Sequence, residues 1–188
     1  MHEDLDVLQK ALGYTFKNPM QLQQALQHRS YVNENANADL ADNETLEFLG
    51  DAVLNLVVSH VLMTSFPHKQ EGDLSRTRAQ LVSESRLAEV ARSIDLGRHV
   101  RLGKGEAQTG GRGKPSILAD TLEALIAAIY LDSDYAQAEE TVLRLFHDRL
   151  QAVDVSSTLK DPKTQLQEYL QAEQRDLPVY EVSQTSGK

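Results

Sequence analysis

The sequence predicts an all-α domain over residues 1–151, a linker over 152–159, and the first helix and strand of an α+β domain over 160–188. Three observations carry this. Up to residue 150, apolar residues recur every three to four positions in segment after segment, the spacing of a buried helical face. No stretch in that range alternates apolar and polar residues as a half-buried strand would. After the linker the style changes: DPKTQLQEYLQAEQ is an amphipathic helix, and Val179, Tyr180, Glu181 and Val182 read as a strand. One helix and one strand cannot enclose a core, so the chain is expected to stop partway through its second domain.

The elements follow in order. Residues 4–12 place Leu5, Leu8, Ala11 and Leu12 at helical spacing, and Gly13 ends the helix. Asn18 caps, and Pro19 opens, a helix predicted through His28. Residues 33–43, rich in Asn, Ala and Asp, have no period and read as a loop. A long helix is predicted over 44–66, with Pro67 helping to stop it. Asp73 caps a helix through Val82, and Ser83 caps another with Leu87, Val90, Ala91 and Ile94 on its inner face. The stretch LGRHVRLGKGEAQTGGRGK holds six of the ten glycines and reads as a basic loop. Helices return over 116–131 and 135–150.

Composition narrows the chemistry. At 40% hydrophobic and 25% charged residues, the chain is an ordinary soluble globular protein. Without cysteine, disulfides, thiolate metal sites and thiol nucleophiles are excluded, while a hard cation on oxygen ligands stays open. The opening MHEDLDVLQK lacks the basic-then-apolar pattern of a signal peptide. The apolar stretches read as too short or too interrupted to span a bilayer. A cytoplasmic protein with no membrane partner is expected. The net charge of -9 argues against nucleic acid, yet between Arg92 and Lys114 six basic residues stand against two acids. This segment lacks the Gly-Lys-Ser/Thr ending of a P-loop, and is either a mobile basic loop or one that contacts phosphate.

The acids in the greasy segments are the chemical signal. In NETLEFLGDAVLNLVVSHVLM, Glu44, Glu47 and Asp51 fall within about 60° of one another on a helix. The rest of that helix is so apolar that burial on most sides is expected. In SILADTLEALIAAIYL the only carboxylates, Asp120 and Glu123, also share a face. A lone buried carboxylate costs several kcal/mol, so something must compensate it. Two acidic faces packed together would make a cluster that a divalent cation neutralises, with Mg²⁺ the natural choice. The competing reading pairs each acid with a distant Arg or Lys and has Glu44 only complement the helix dipole. Phe48, beside Glu47, reads from spacing alone as a core phenylalanine.

Together these segments resemble a known family. NETLEFLGDAVL resembles the signature of the ribonuclease III family, and EGDLSRTRAQLV, TGGRGK and SILADTLEALIAAIYLDS resemble the segments that follow it there, in the same order. DPKTQLQEYLQAEQRDLPVYEV resembles the first helix and strand of that family's double-stranded RNA-binding domain. Thr45 and Ala52 depart from the Arg and Ser common in the signature, at positions that hold no metal.

The resemblance implies a homodimeric, Mg²⁺-dependent endonuclease for double-stranded RNA, with Mn²⁺ able to substitute, of the kind that matures rRNA precursors and mRNA. Cleavage is expected to leave 5′-phosphate and 3′-hydroxyl ends. The implied metal ligands are Glu47, Asp51, Asp120 and Glu123. Asp51 and Glu123 are also assigned to catalysis, together with Glu44 and Glu71, which line the catalytic valley. Phe48 would insert into a socket on the partner subunit. Arg76, Arg78, Arg112 and Lys114 are expected to meet phosphates, and Thr164 and Gln167 to touch the minor groove. The alternative is a catalytically silent member that only grips duplex RNA or dimerises.

Overall fold

A computed structural model of the chain describes residues 2–35 and 40–153, with Leu170 and Pro178 as isolated positions. The chain divides into two units, Met1–Val155 and Ser156–Lys188, and the elements below belong to the first. Beyond those two isolated positions, the expected helix and strand of 160–188, with Thr164 and Gln167, lie outside the described residues. So does the expected linker after Val153.

The described residues of the first unit form helices and their connections, with one isolated bridge between Gln27 and Arg101. Its helices are α1 (His2–Leu12), α2 (Pro19–Ala25), α3 (Arg29–Glu34), α4 (Glu44–Ser65), α5 (Glu71–Leu81), α6 (Glu84–Ser93), α7 (Lys104–Gln108), α8 (Pro115–Asp132), α9 (Tyr135–Leu145) and α10 (His147–Gln151). Two 3₁₀ turns, Leu96–Arg98 and Gly111–Gly113, sit among them. The centre is α8, against which α2, α4, α6 and α9 all pack. Its sequence dictates that position: Ile117, Leu118, Leu122, Leu125, Ile126 and Ile129 are buried all round the helix.

The contact between α4 and α8 depends on one residue. Gly50 of α4 faces the backbone of α8, and a Cβ there would overlap the carbonyl oxygen of Glu123. Only glycine lets the two backbones approach so closely. Around this point Leu46, Val53, Leu54, Val57, Val58 and Leu62 form the inner face of α4.

Several expectations are corrected. The helix predicted over 19–28 ends at Ala25, because residues 26–28 pair with a distant segment instead. The Arg101 N–H donates to the Leu26 carbonyl (2.8 Å), and the His28 N–H donates to the Arg101 carbonyl (3.1 Å). His28 then caps α3, which extends into the predicted loop. The glycine-rich segment is not a plain loop but α7 between two 3₁₀ turns. The helix predicted over 135–150 breaks at Phe146, which is fully buried. The helix predicted from Asp73 starts at Glu71.

Burial of α4 on most sides is also not what forms. Its inner face is buried, while Phe48 (81% exposed), Leu56 (56%) and Met63 (59%) lie on solvent. The sequence could not separate these because an apolar residue reads alike whether its partner is this chain or another molecule. Among the described residues, α4 is long and apolar enough by composition to cross a membrane, contrary to the sequence reading. Its inner face packs instead against α8, α5 and α9.

Gly50→Ala should test the helix contact. Alanine in place of glycine inside a helix normally stabilises by up to about 1 kcal/mol. Here the added methyl meets backbone, so a loss of about 1–3 kcal/mol is expected in urea denaturation, the sign alone separating the two outcomes.

Candidate metal centre

The close approach at Gly50 sets the acids. Glu47 lies three residues before it on α4 and Asp51 directly after it, while Asp120 and Glu123 come from α8. One carboxylate oxygen from each of Glu47, Asp120 and Glu123 lies within 4.8 Å of the others; Glu47 and Asp120 are partly buried and Glu123 is the most buried of the three.

The electrostatics record the conflict. Burial pushes the Glu123 carboxyl up to about 8, helped by the charges of Asp51, Glu47 and Asp120 in that order. Glu47 is raised by burial first, then by Asp120, Glu44 and Asp51. Asp120 is raised by burial first and then by Glu84, an acid at the start of α6 that the sequence reading passed over. Among the described residues none of these three carboxylates forms an ion pair. The competing reading, each acid paired to its own Arg or Lys, therefore does not hold at this cluster. Like charges held together with no cationic side chain paired to them, Arg29 acting on Glu47 and Asp120 only from a distance, suit a hard divalent cation.

The other assigned residues divide. Asp51 is exposed at the rim, where Asn55 Nδ2 donates to its Oδ1 (2.6 Å), yet its charge is the strongest acting on Glu123. Glu44 is exposed and pairs with Arg29 (3.2 Å). Glu71 accepts from the Ser75 hydroxyl (2.6 Å) and does not join the triplet. Phe48 projects outward, not into the core. Arg76 donates to Asp73 (2.6 Å) and Arg78 to the Ser59 hydroxyl (2.8 Å). Arg112 Nη1 donates to the carbonyls of Gly97, Arg98 and Val100 (3.0, 3.0 and 2.8 Å), clamping the glycine-rich segment. Lys114 meets Glu106 (2.6 Å).

Beside the triplet opens a cleft of about 560 Å³, with Glu47 and Asp120 on one side and Lys114 and Glu106 on another. Its remaining wall includes His28, Arg29, Ser30 and Asn33, none of which the sequence reading singled out. No local signal marks them: they reach the cleft only because residues 26–28 pair with Arg101.

A helical bundle whose two central helices bring acids together over a cleft defines a class of site, one built to hold a cation against a bound ligand. The comparisons specify it. Residues 18–150 match the family model described as Ribonuclease-III-like. The chain is 50% identical over 188 residues to Ribonuclease 3 of Hahella chejuensis, covering 100% of this chain and 80% of that protein. It is 47% identical over 181 residues to Ribonuclease 3 of Buchnera aphidicola, covering 96% and 77%. Among solved structures, the nuclease domain of ribonuclease III from Campylobacter jejuni matches with a TM-score of 0.72 and 42% identity, over 79% of this chain and 97% of that one. The chain belongs to the ribonuclease III family, and that membership makes it an endoribonuclease.

The raised carboxyls predict a pH dependence. Because Glu123 binds its proton more tightly in the folded protein, the stability it contributes is fully present below its ordinary value of 4.5 and is lost as pH rises through about 8. In EDTA, Tm should fall by several degrees across that window, and Glu123→Gln should flatten the fall. Added Mg²⁺ should raise the wild-type Tm more at pH 8 than at pH 6. Differential scanning calorimetry reads all three effects, and a pH-independent metal response would contradict them.

Proposed function

We propose that this chain hydrolyses phosphodiester bonds of double-stranded RNA with Mg²⁺ held by Glu47, Asp51, Asp120 and Glu123, leaving 5′-phosphate and 3′-hydroxyl ends; Mn²⁺ can replace Mg²⁺. The observation that carries the reading is the convergence of Glu47, Asp120 and Glu123 without a cationic partner. A divalent ion held by these residues would supply a hydroxide nucleophile near neutral pH and would offset charge on the phosphate. Glu123 gives up its proton as the site loads, which couples loading to pH. Asp51, steadied by Asn55, completes the acidic set from the rim, and Glu44 and Glu71 line the valley beyond it. Lys114 brings positive charge to the cleft wall, and Arg76, Arg78 and Arg112 extend it along the duplex.

The working form is a homodimer. Phe48 is 81% exposed one residue from Glu47, so it suits a socket on a second copy. A second Campylobacter jejuni nuclease-domain structure, 42% identical with a TM-score of 0.72 over 77% of this chain and 96% of that one, is described by a flexible region involved in dimer formation. A two-fold pair of sites matches the two strands of a duplex. Residues 1–151 form the catalytic unit, and 160–188, with Thr164 and Gln167, begin a duplex-binding domain after the 152–159 linker. The protein works in the cytoplasm on rRNA precursors and mRNA.

Labelled duplex RNA should be cut in Mg²⁺ and left intact in EDTA. Glu123→Gln should lower cleavage by more than about 100-fold, since even residues that only support metal ligands cost 10- to 100-fold. Its circular dichroism and sedimentation should stay as wild type. Retention of uncut duplex by the wild-type protein in Mg²⁺ would favour a silent binder instead. Phe48→Ala should weaken self-association by about 2 kcal/mol or more, visible as monomer in sedimentation velocity.

A further inference from the structure

His28 sits where the cleft wall meets the paired segment, and its ring is wired on one side only. The backbone N–H of Ser30 donates to its Nδ1 (3.2 Å), and the Ser30 hydroxyl lies 2.8 Å from the same nitrogen. The Ser30 hydroxyl in turn accepts from the Gly103 N–H (3.0 Å), which ties the ring's Nδ1 side to the glycine-rich segment, while the Ser30 N–H makes Nδ1 an acceptor. A nitrogen that accepts cannot carry a proton, which fixes the hydrogen on Nε2. Among the described residues, Nε2 makes no hydrogen bond, though His28 acts through space on Asp120 and Glu106. His28 and Ser30 line the same cleft as Glu47 and Asp120.

Capping α3 needs only the acceptor at Nδ1, which a short Asn or Ser would provide. An imidazole adds a donor on the far side of the ring, held in one tautomer by the Ser30 N–H. We propose that His28 is a substrate-positioning residue whose Nε2–H donates to a phosphate oxygen of the RNA strand lying in the cleft beside Glu47 and Asp120. This rests on the duplex-RNA nuclease reading above.

Two substitutions separate the ends of the ring. His28→Asn keeps an acceptor near the Nδ1 position and has no donor that reaches the Nε2 position. His28→Gln carries an amide N–H toward the Nε2 position and loses the cap. The asparagine variant should keep the wild-type Tm and the wild-type Tm response to Mg²⁺, while kcat/KM on a labelled duplex falls roughly 10- to 100-fold, the worth of a hydrogen bond to a charged group. In a Glu123→Gln background, it should weaken duplex binding by fluorescence anisotropy about tenfold or more. The glutamine variant should lose about 2–6 °C in Tm and keep cleavage within about fivefold of wild type.

Wild-type cleavage by the asparagine variant would overturn the proposal. So would a loss of activity in that variant matched by a Tm loss as large as that of glutamine, because His28 would then be only a cap. A wild-type protein that leaves the duplex intact would refute the nuclease reading itself, an outcome distinct from either.

Discussion

The backbone contact between α4 and α8 at Gly50 governs the rest of the molecule. It is tight enough that no side chain fits, and it fixes the spacing of every acid on the two helices. The apolar faces of both helices drive them together. The same packing forces Glu47, Asp120 and Glu123 into mutual repulsion that water only partly relieves. Hydrophobic burial thus does work against electrostatics and stores it at one spot.

That balance explains how an acidic protein can meet a polyanion. The net charge of -9 is not spread evenly; part of it is concentrated in a cluster whose sign a bound cation would reverse. The basic residues are equally specialised. Arg112 spends one guanidinium nitrogen on three backbone carbonyls, and Arg78 reaches from α5 to α4. These cations hold architecture as well as any ligand they touch, so a count of positive charge overstates the surface free to bind phosphate.

The glycine-rich segment is structural in the same sense. Arg101 pairs with residues 26–28, Gly103 donates to Ser30, and the Lys104 N–H donates to Glu34 (2.9 Å). Asn43, at the start of α4, donates from its backbone N–H to the Gln27 carbonyl (2.9 Å). The start of α4, the α2–α3 break and the glycine-rich segment are therefore one hydrogen-bonded assembly. A residue on the cleft wall such as His28 is positioned by all of them together.

By itself the sequence determined the all-helical character, the places of α4 and α8, and the acidic faces they carry. Each follows from a period of 3.6 residues, which is a local property of the chain. It also marked Asn18 as a cap, and the Asn18 side chain does accept from the Met20 N–H (3.0 Å). Only the tertiary structure decided that Glu47, Asp120 and Glu123 meet while Asp51 stays at the rim, that Phe48 points outward, and that His28 and Ser30 reach the cleft. Those outcomes depend on which helix faces which and on a backbone bridge between residues 27 and 101. Pairing across that distance leaves no periodicity in the sequence, because it is fixed by packing and not by neighbours along the chain.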